Sequence, residues 1–103
     1  MIDSASLASD YQNRLYLGPC GYNVRVSARI QNADYADAIV QGTDVSVAMT
    51  RSGSTWTATL TSGAMFDSSD VGSHQVMVLA GRGDDVTDRA AGTVSIIANC
   101  PKD

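Results

Sequence analysis

The chain contains no glutamate and a single lysine, Lys102, in 103 residues. Both residue types favour helices, whereas the plentiful threonine and valine favour strands, so the depletion argues against a helical fold. The remaining charges are scattered and sum to a formal −4. With no clustered basic surface, the chain lacks the electrostatic footprint of a nucleic-acid-binding protein. No apolar run approaches the ~20 residues a bilayer-crossing helix needs, and the segment before Arg14 has no basic-then-apolar layout of a secretory signal. There is one histidine, His74, and two cysteines, Cys20 and Cys100, neither with a nearby His or Cys to suggest zinc or a redox pair. Aromatics are few: one Trp, one Phe and four Tyr.

What the chain does have is a period of two. Val24, Val26, Ala28 and Ile30 alternate with Arg25, Ser27, Arg29 and Gln31, and Trp56, Ala58 and Leu60 alternate with threonines 55, 57, 59 and 61. Successive strand side chains point to opposite faces, so each segment reads as a strand with one buried side and one wet side.

The rest of the chain divides by turn signals. Residues 1–13 are polar and aperiodic and read as a flexible leader or linker, with Met1 a start placed on a fragment of a longer chain. Leu15 to Leu17 forms a short strand closed by Gly18-Pro19. Strands follow at Tyr22 to Gln31 and Tyr35 to Gln41, then at Val45 to Met49, with Arg51 to Ser54 as a four-residue hairpin loop before Thr55 to Thr61. Residues 62–72 are irregular, with Met65 and Phe66 plugging one end of the core. Ser73 to Ala80 is apolar on both sides, as a central strand is. Gly81 to Asp88 reads as a loop and Thr93 to Ala98 as the last strand. Residues 14–100 thus form one all-β domain with 101–103 as a tail. The expected core is Val24, Val26, Ala28, Ile30, Ile39, Val47, Trp56, Leu60, Val76, Val78, Val94 and Ile96.

If the strands run alternately up and down, six lie between the cysteines, and Cys20 and Cys100 flank the same pole. A disulfide between them is therefore expected, and with it an oxidising compartment.

The stretch Val24 to Asp34 resembles the second strand and following loop of bacterial and phage immunoglobulin-like domains, in which an apolar-x-apolar-x-Ala-x-apolar strand enters an Asp-containing turn. Gly53 to Leu60 is similar to their middle hairpin strand, and Val71 to Asp84 to their penultimate strand. The resemblance, over residues 20–98, implies an immunoglobulin-like antiparallel β-sandwich of about seven strands. It further implies a non-catalytic structural or adhesive module, a spacer or display domain, in a larger secreted, cell-surface or virion protein. The partners implied are other domains of the parent protein or a protein or carbohydrate surface. Lys102, in the tail, cannot form the Lys–Asn cross-link that many surface domains of this class carry in the core.

Catalysis needs a positioned base and nucleophile or a metal. His74 has no Gly-x-Ser-x-Gly elbow with it and reads as a strand-start residue, and Asp67 and Asp70 read as turn formers. No enzymatic activity and no cofactor are expected. The alternative function is ligand binding by the loops at 32–37 and 81–89. Asn32, Asp34, Asp37, Asp84, Asp85 and Asp88 meet there on the strand count and could hold calcium, which takes six to eight oxygens, although Arg82 and Arg89 dilute the charge. Arg82-Gly83-Asp84 lies where a cell-adhesive fibronectin type III domain carries its integrin-binding tripeptide, and a tight glycine turn would display it. Carbohydrate recognition usually exposes several aromatics on one surface, and only Tyr35 falls near these loops.

Overall fold

The alternating segments form strands whose small and β-branched apolar residues all face one core. The computed structural model describes residues 1–10, 12–18, 20–63 and 65–100. Nine strands lie among the described residues: β1 (Ile2–Ser9), β2 (Arg14–Tyr16), β3 (Asn23–Ile30), β4 (Tyr35–Val40), β5 (Ser46–Ala48), β6 (Thr50–Ser52), β7 (Thr55–Thr61), β8 (Gly72–Arg82) and β9 (Asp85–Ile97). One sheet has the order β1-β3-β7-β6 and the other β2-β9-β8-β4-β5; the second curls as a half-barrel. All pairs are antiparallel except β2 with β9. The only helical element among the described residues is a 3-10 turn, Ser68–Asp70, and no helix is long enough to cross a membrane.

Val24, Val26 and Leu60 from one sheet and Val40, Val76, Val78, Val94 and Ile96 from the other are almost wholly buried in one cluster. Trp56 joins it at 6% exposure, and Phe66 closes it from the irregular segment with Met65 packed alongside. The cluster draws on both sheets, so burial of apolar area against a common centre is what holds them together.

Several expectations are corrected. Residues 2–9 are not a leader. They form β1, paired along β3 from Ile2↔Ile30 to Ser9↔Val24. Its inward residues, Ile2, Ala5 and Leu7, fall out of strict alternation because of a bulge between Ile2 and Ser4, so no period of two marks the strand in the sequence. Residues 51–54 are not a four-residue loop: Thr50–Ser52 form β6, in the other sheet from β5, and only Gly53-Ser54 remain as the turn. The chain leaves β5 for β6 at the buried Met49, whose N–H donates to the Ala36 carbonyl at 2.8 Å. That crossing, with β1, raises the strand count from about seven to nine. Ile39 is not core: the β4 register turns Ala36, Ala38 and Val40 inward and leaves Ile39 opposite Met77 on the outer face. Val47 is only half-buried against the core. Finally, residues 85–88 are strand rather than loop, because β8 and β9 stay paired out to Arg82↔Asp85.

The pole where β3 begins and β9 ends is closed by the Cys20–Cys100 disulfide, with Cα atoms 5.9 Å apart. Beside the core, the 3-10 turn is held by a reciprocal cap. The Ser69 N–H donates to the Asp67 carboxylate at 2.9 Å, and the Asp67 N–H donates to the Asp70 carboxylate at 3.0 Å. The Ser69 hydroxyl bond, and then the Ser69 N–H bond, hold the Asp67 carboxyl below its ordinary value of 3.8. A lowered carboxyl stabilises the fold above its unfolded-state value and loses that contribution as pH falls through the folded one. The cap is therefore expected to open only in acid below that ordinary value. A pH titration of the Ser69 amide chemical shift checks this, and a transition at or above the ordinary value would contradict it.

Candidate functional site

At the pole opposite the disulfide, three connections converge: residues 31–34 between β3 and β4, the turn Gly53-Ser54 between β6 and β7, and the turn Gly83-Asp84 between β8 and β9. Each is tight because one residue takes a left-handed backbone: Asn32 at φ 61°, Gly53 at 64° and Gly83 at 59°. The latter two are glycines, which adopt this conformation without a Cβ clash. Main-chain bonds tie the three together. The Ile30 N–H donates to the Ser54 carbonyl at 2.9 Å and the Asp34 N–H to the Gly81 carbonyl at 2.7 Å. The Asp34 carboxylate in turn accepts the Gly83 N–H at 3.2 Å. Asp34→Ala should remove that last tether at a cost of about 1 kcal/mol, seen as faster hydrogen exchange at Gly83 with the Gly81 contact intact. Unchanged exchange at Gly83 would show that the carboxylate does not hold the turn.

Between the three connections lies an open polar cleft of about 420 Å³, lined by Ile30, Gln31, Asn32, Asp34, Arg51, Ser54, Trp56 and Arg82 among others. Its geometry follows from strand parity. Arg51 pairs directly with Trp56, so both lie on the core side of their sheet. Val76, Val78 and Ala80 are buried on alternate positions of β8, and Arg82 is the next residue of that inward series. Arg51 and Arg82 thus continue the core-facing rows of opposite sheets beyond the last apolar layer, and face the same opening with Ile30 and Trp56 beneath them. Arg51 gives its Nε–H to the Gly53 carbonyl at 2.9 Å. Neither guanidinium lies within ion-pair distance of a carboxylate among the described residues, although Asp85 is directly across from Arg82 in the β8–β9 register.

The residues expected from sequence are distributed as follows. Arg82 ends β8, Gly83 and Asp84 form the exposed turn itself, and Asp85 begins β9. The tripeptide therefore sits at a hairpin tip as expected. The six oxygen donors do not gather. Asp37 and Asp88 both face outward across Leu79, Asp34 is bonded to Gly83, and Asp85, three positions from Asp88, has the opposite parity on β9. Continuous β8–β9 pairing is what separates them, and among the described residues no three metal-ligating side chains converge. Tyr35 lies outside the cleft, its ring covering Gly81, where any Cβ would overlap it. His74 is the third residue of β8, with Nδ1 2.6 Å from the Gln41 carbonyl and Nε2 2.6 Å from that of Asp70. Sequence reasoning missed Arg51, Gln31 and Ser54 as cleft residues. A two-residue turn at Gly53-Ser54, rather than a four-residue loop, would have placed Arg51 opposite Trp56. No protein-family model matches the chain, and no curated protein matches it in sequence.

Proposed function

We propose that the chain is an immunoglobulin-like β-sandwich serving as a non-catalytic display module of a larger secreted, cell-surface or virion protein, and that recognition is carried by the pole built from residues 31–34, 53–54 and 82–85. The strand order supports the fold assignment. The immunoglobulin sandwich places its first, second, fifth and fourth strands in one sheet and its third, sixth and seventh in the other. Here β1, β3, β7 and β6 correspond to the former and β4, β8 and β9 to the latter, with β2 and β5 as additions at the edges of the second sheet. The disulfide supports an oxidising compartment. His74 supports the absence of catalysis, since both its ring nitrogens face backbone carbonyls rather than a nucleophile.

The observation that carries the reading is the division of labour along the strands. Covalent closure sits at one end, and three short turns around a polar cleft sit at the other, so the turns can vary without disturbing the core. Replacing both Gly53-Ser54 and Gly83-Asp84 with Asn-Gly should leave a single cooperative unfolding transition, shifted by about 5 °C or less. Loss of cooperative folding in that variant would show that the turns belong to the framework and refute the display reading.

A second reading, integrin binding, is favoured by the exposure of Gly83 and Asp84 at the tip. It requires that integrin-bearing cells adhere to the immobilised domain and that Asp84→Ala abolish the adhesion. Equal adhesion to both proteins would remove it.

A further inference from the structure

We infer that the cleft between the three turns binds a single carboxylated sugar residue, its carboxylate held between Arg51 and Arg82. This rests on the display reading above and names the ligand class of the same pole.

Two guanidiniums in core-facing register, from opposite sheets and neither within ion-pair distance of a carboxylate among the described residues, line one cleft and attract an anion placed between them. Asp85, directly across the ladder from Arg82, and Asp34, at the cleft wall, are the competing charges. Arginine presents a planar fork of donors that matches the two oxygens of a carboxylate. With its Nε–H fixed on Gly53, Arg51 keeps its terminal nitrogens for a ligand and has less freedom to lose on binding.

With Tyr35 outside the cleft and Trp56 buried, a sugar would be held by hydrogen bonds rather than by aromatic stacking. The rest of the lining favours it over an acidic peptide on that ground. Gln31, Asn32, Ser54 and Asp34 bring both donors and acceptors around the arginine pair, as ring hydroxyls require. Asp34 has a second carboxylate oxygen beyond the one that accepts from Gly83. The cleft volume of about 420 Å³ falls in the range of small-molecule sites and suits one sugar ring. Ile30 and Trp56 are buried beneath and offer no open apolar hole for a peptide side chain. The net charge of −4 disfavours a long polyanion, whose repeated charges would meet a negative protein, but a single acidic unit feels chiefly the two nearby arginines.

The test is a two-dimensional amide NMR titration of the whole domain with glucuronic acid and N-acetylneuraminic acid, with galactose and a glutamate-containing tripeptide as the other arms. Saturable shifts are expected at Asn32, Asp34, Ser54 and Gly83 with an acidic sugar, at a Kd of about 1 mM, weakening as salt is raised. Galactose and the peptide should bind at least about tenfold more weakly. Arg51→Gln and Arg82→Gln should each lower affinity about tenfold while the melting temperature stays near that of the parent, and Arg51→Lys should recover part of it. No saturable shift with either acid at about 20 mM would overturn the inference. So would equal binding of galactose, equal binding of the peptide, or indifference to both glutamine variants. The turn-replacement experiment is independent of these outcomes: a failed titration with intact folding of that variant refutes the ligand assignment and leaves the display reading standing.

Discussion

Trp56→Ala is expected to lower unfolding stability by about 3–5 kcal/mol, measured as a shift of the urea midpoint with the slope of the transition unchanged. The indole is 6% exposed and belongs to the cluster shared by both sheets. Truncation would leave a cavity bounded by strands that cannot collapse independently, because β7 is fixed between β3 and β6 by register from Asn23↔Thr61 to Ser52↔Thr55. Total stability of a single domain is typically about 5–15 kcal/mol, so this loss brings the domain close to the unfolding threshold. Trp56 also forms the floor of the polar cleft. The same variant should therefore disturb the amides of Ser54 and Asn32, whereas a core truncation at the other end, such as Leu60→Ala, should leave them in place. A loss under about 1 kcal/mol would mean that the indole does not organise the core.

Opening the disulfide is expected to have the other large effect. The bridge closes a loop of 80 residues, and the chain-entropy relation assigns such a loop about 4.5 kcal/mol, acting through the unfolded chain. The pairing of Cys20 with Cys100 spans nearly every strand of the domain, so its loss loosens the whole ensemble rather than one turn. The double variant Cys20→Ser/Cys100→Ser should keep the same strand content under stabilising conditions while its melting temperature falls by tens of degrees, about 20–30 °C. A melting temperature within about 5 °C of the parent would place the stability of the fold in the sheets alone.

The strands with strict alternation were legible from sequence because one parity carries all the apolar residues. β3 and β7 were placed to within a residue or two of their ends on this signal. The sequence locates β4 but does not fix its parity, since Ile39 and Val40 are adjacent and both apolar. The sheet instead buries Ala36 and Ala38, which fit the close approach of β8. β1 is not legible in the sequence because a bulge between Ile2 and Ser4 takes its core-facing Ile2, Ala5 and Leu7 out of strict alternation among serines. The disulfide followed correctly from counting strand reversals. At the candidate site, Arg82, Gly83 and Asp84 were recognised as a tripeptide, but the cleft depends on Arg51 facing Arg82, a relation between strands distant in sequence. Turn length decides it: a two-residue β6–β7 turn puts Arg51 opposite Trp56, while the longer loop read from Arg51 to Ser54 removes it from the sheet. The reciprocal Asp67–Asp70 cap was visible as a spacing of three, yet without helical periodicity around it the spacing alone does not specify a turn.

The central claim is that paired β8 and β9 run out to Arg82 and Asp85 and so carry one arginine to the open end of the two sheets, opposite the other. Interstrand nuclear Overhauser contacts measure this directly. The account predicts contacts between Gly81 and Val86 and between Ala80 and Thr87, together with those linking Arg51 to Trp56 across the β6–β7 turn. Absence of the β8–β9 contacts beyond Leu79 and Asp88, with random-coil shifts for residues 81–87, would contradict it.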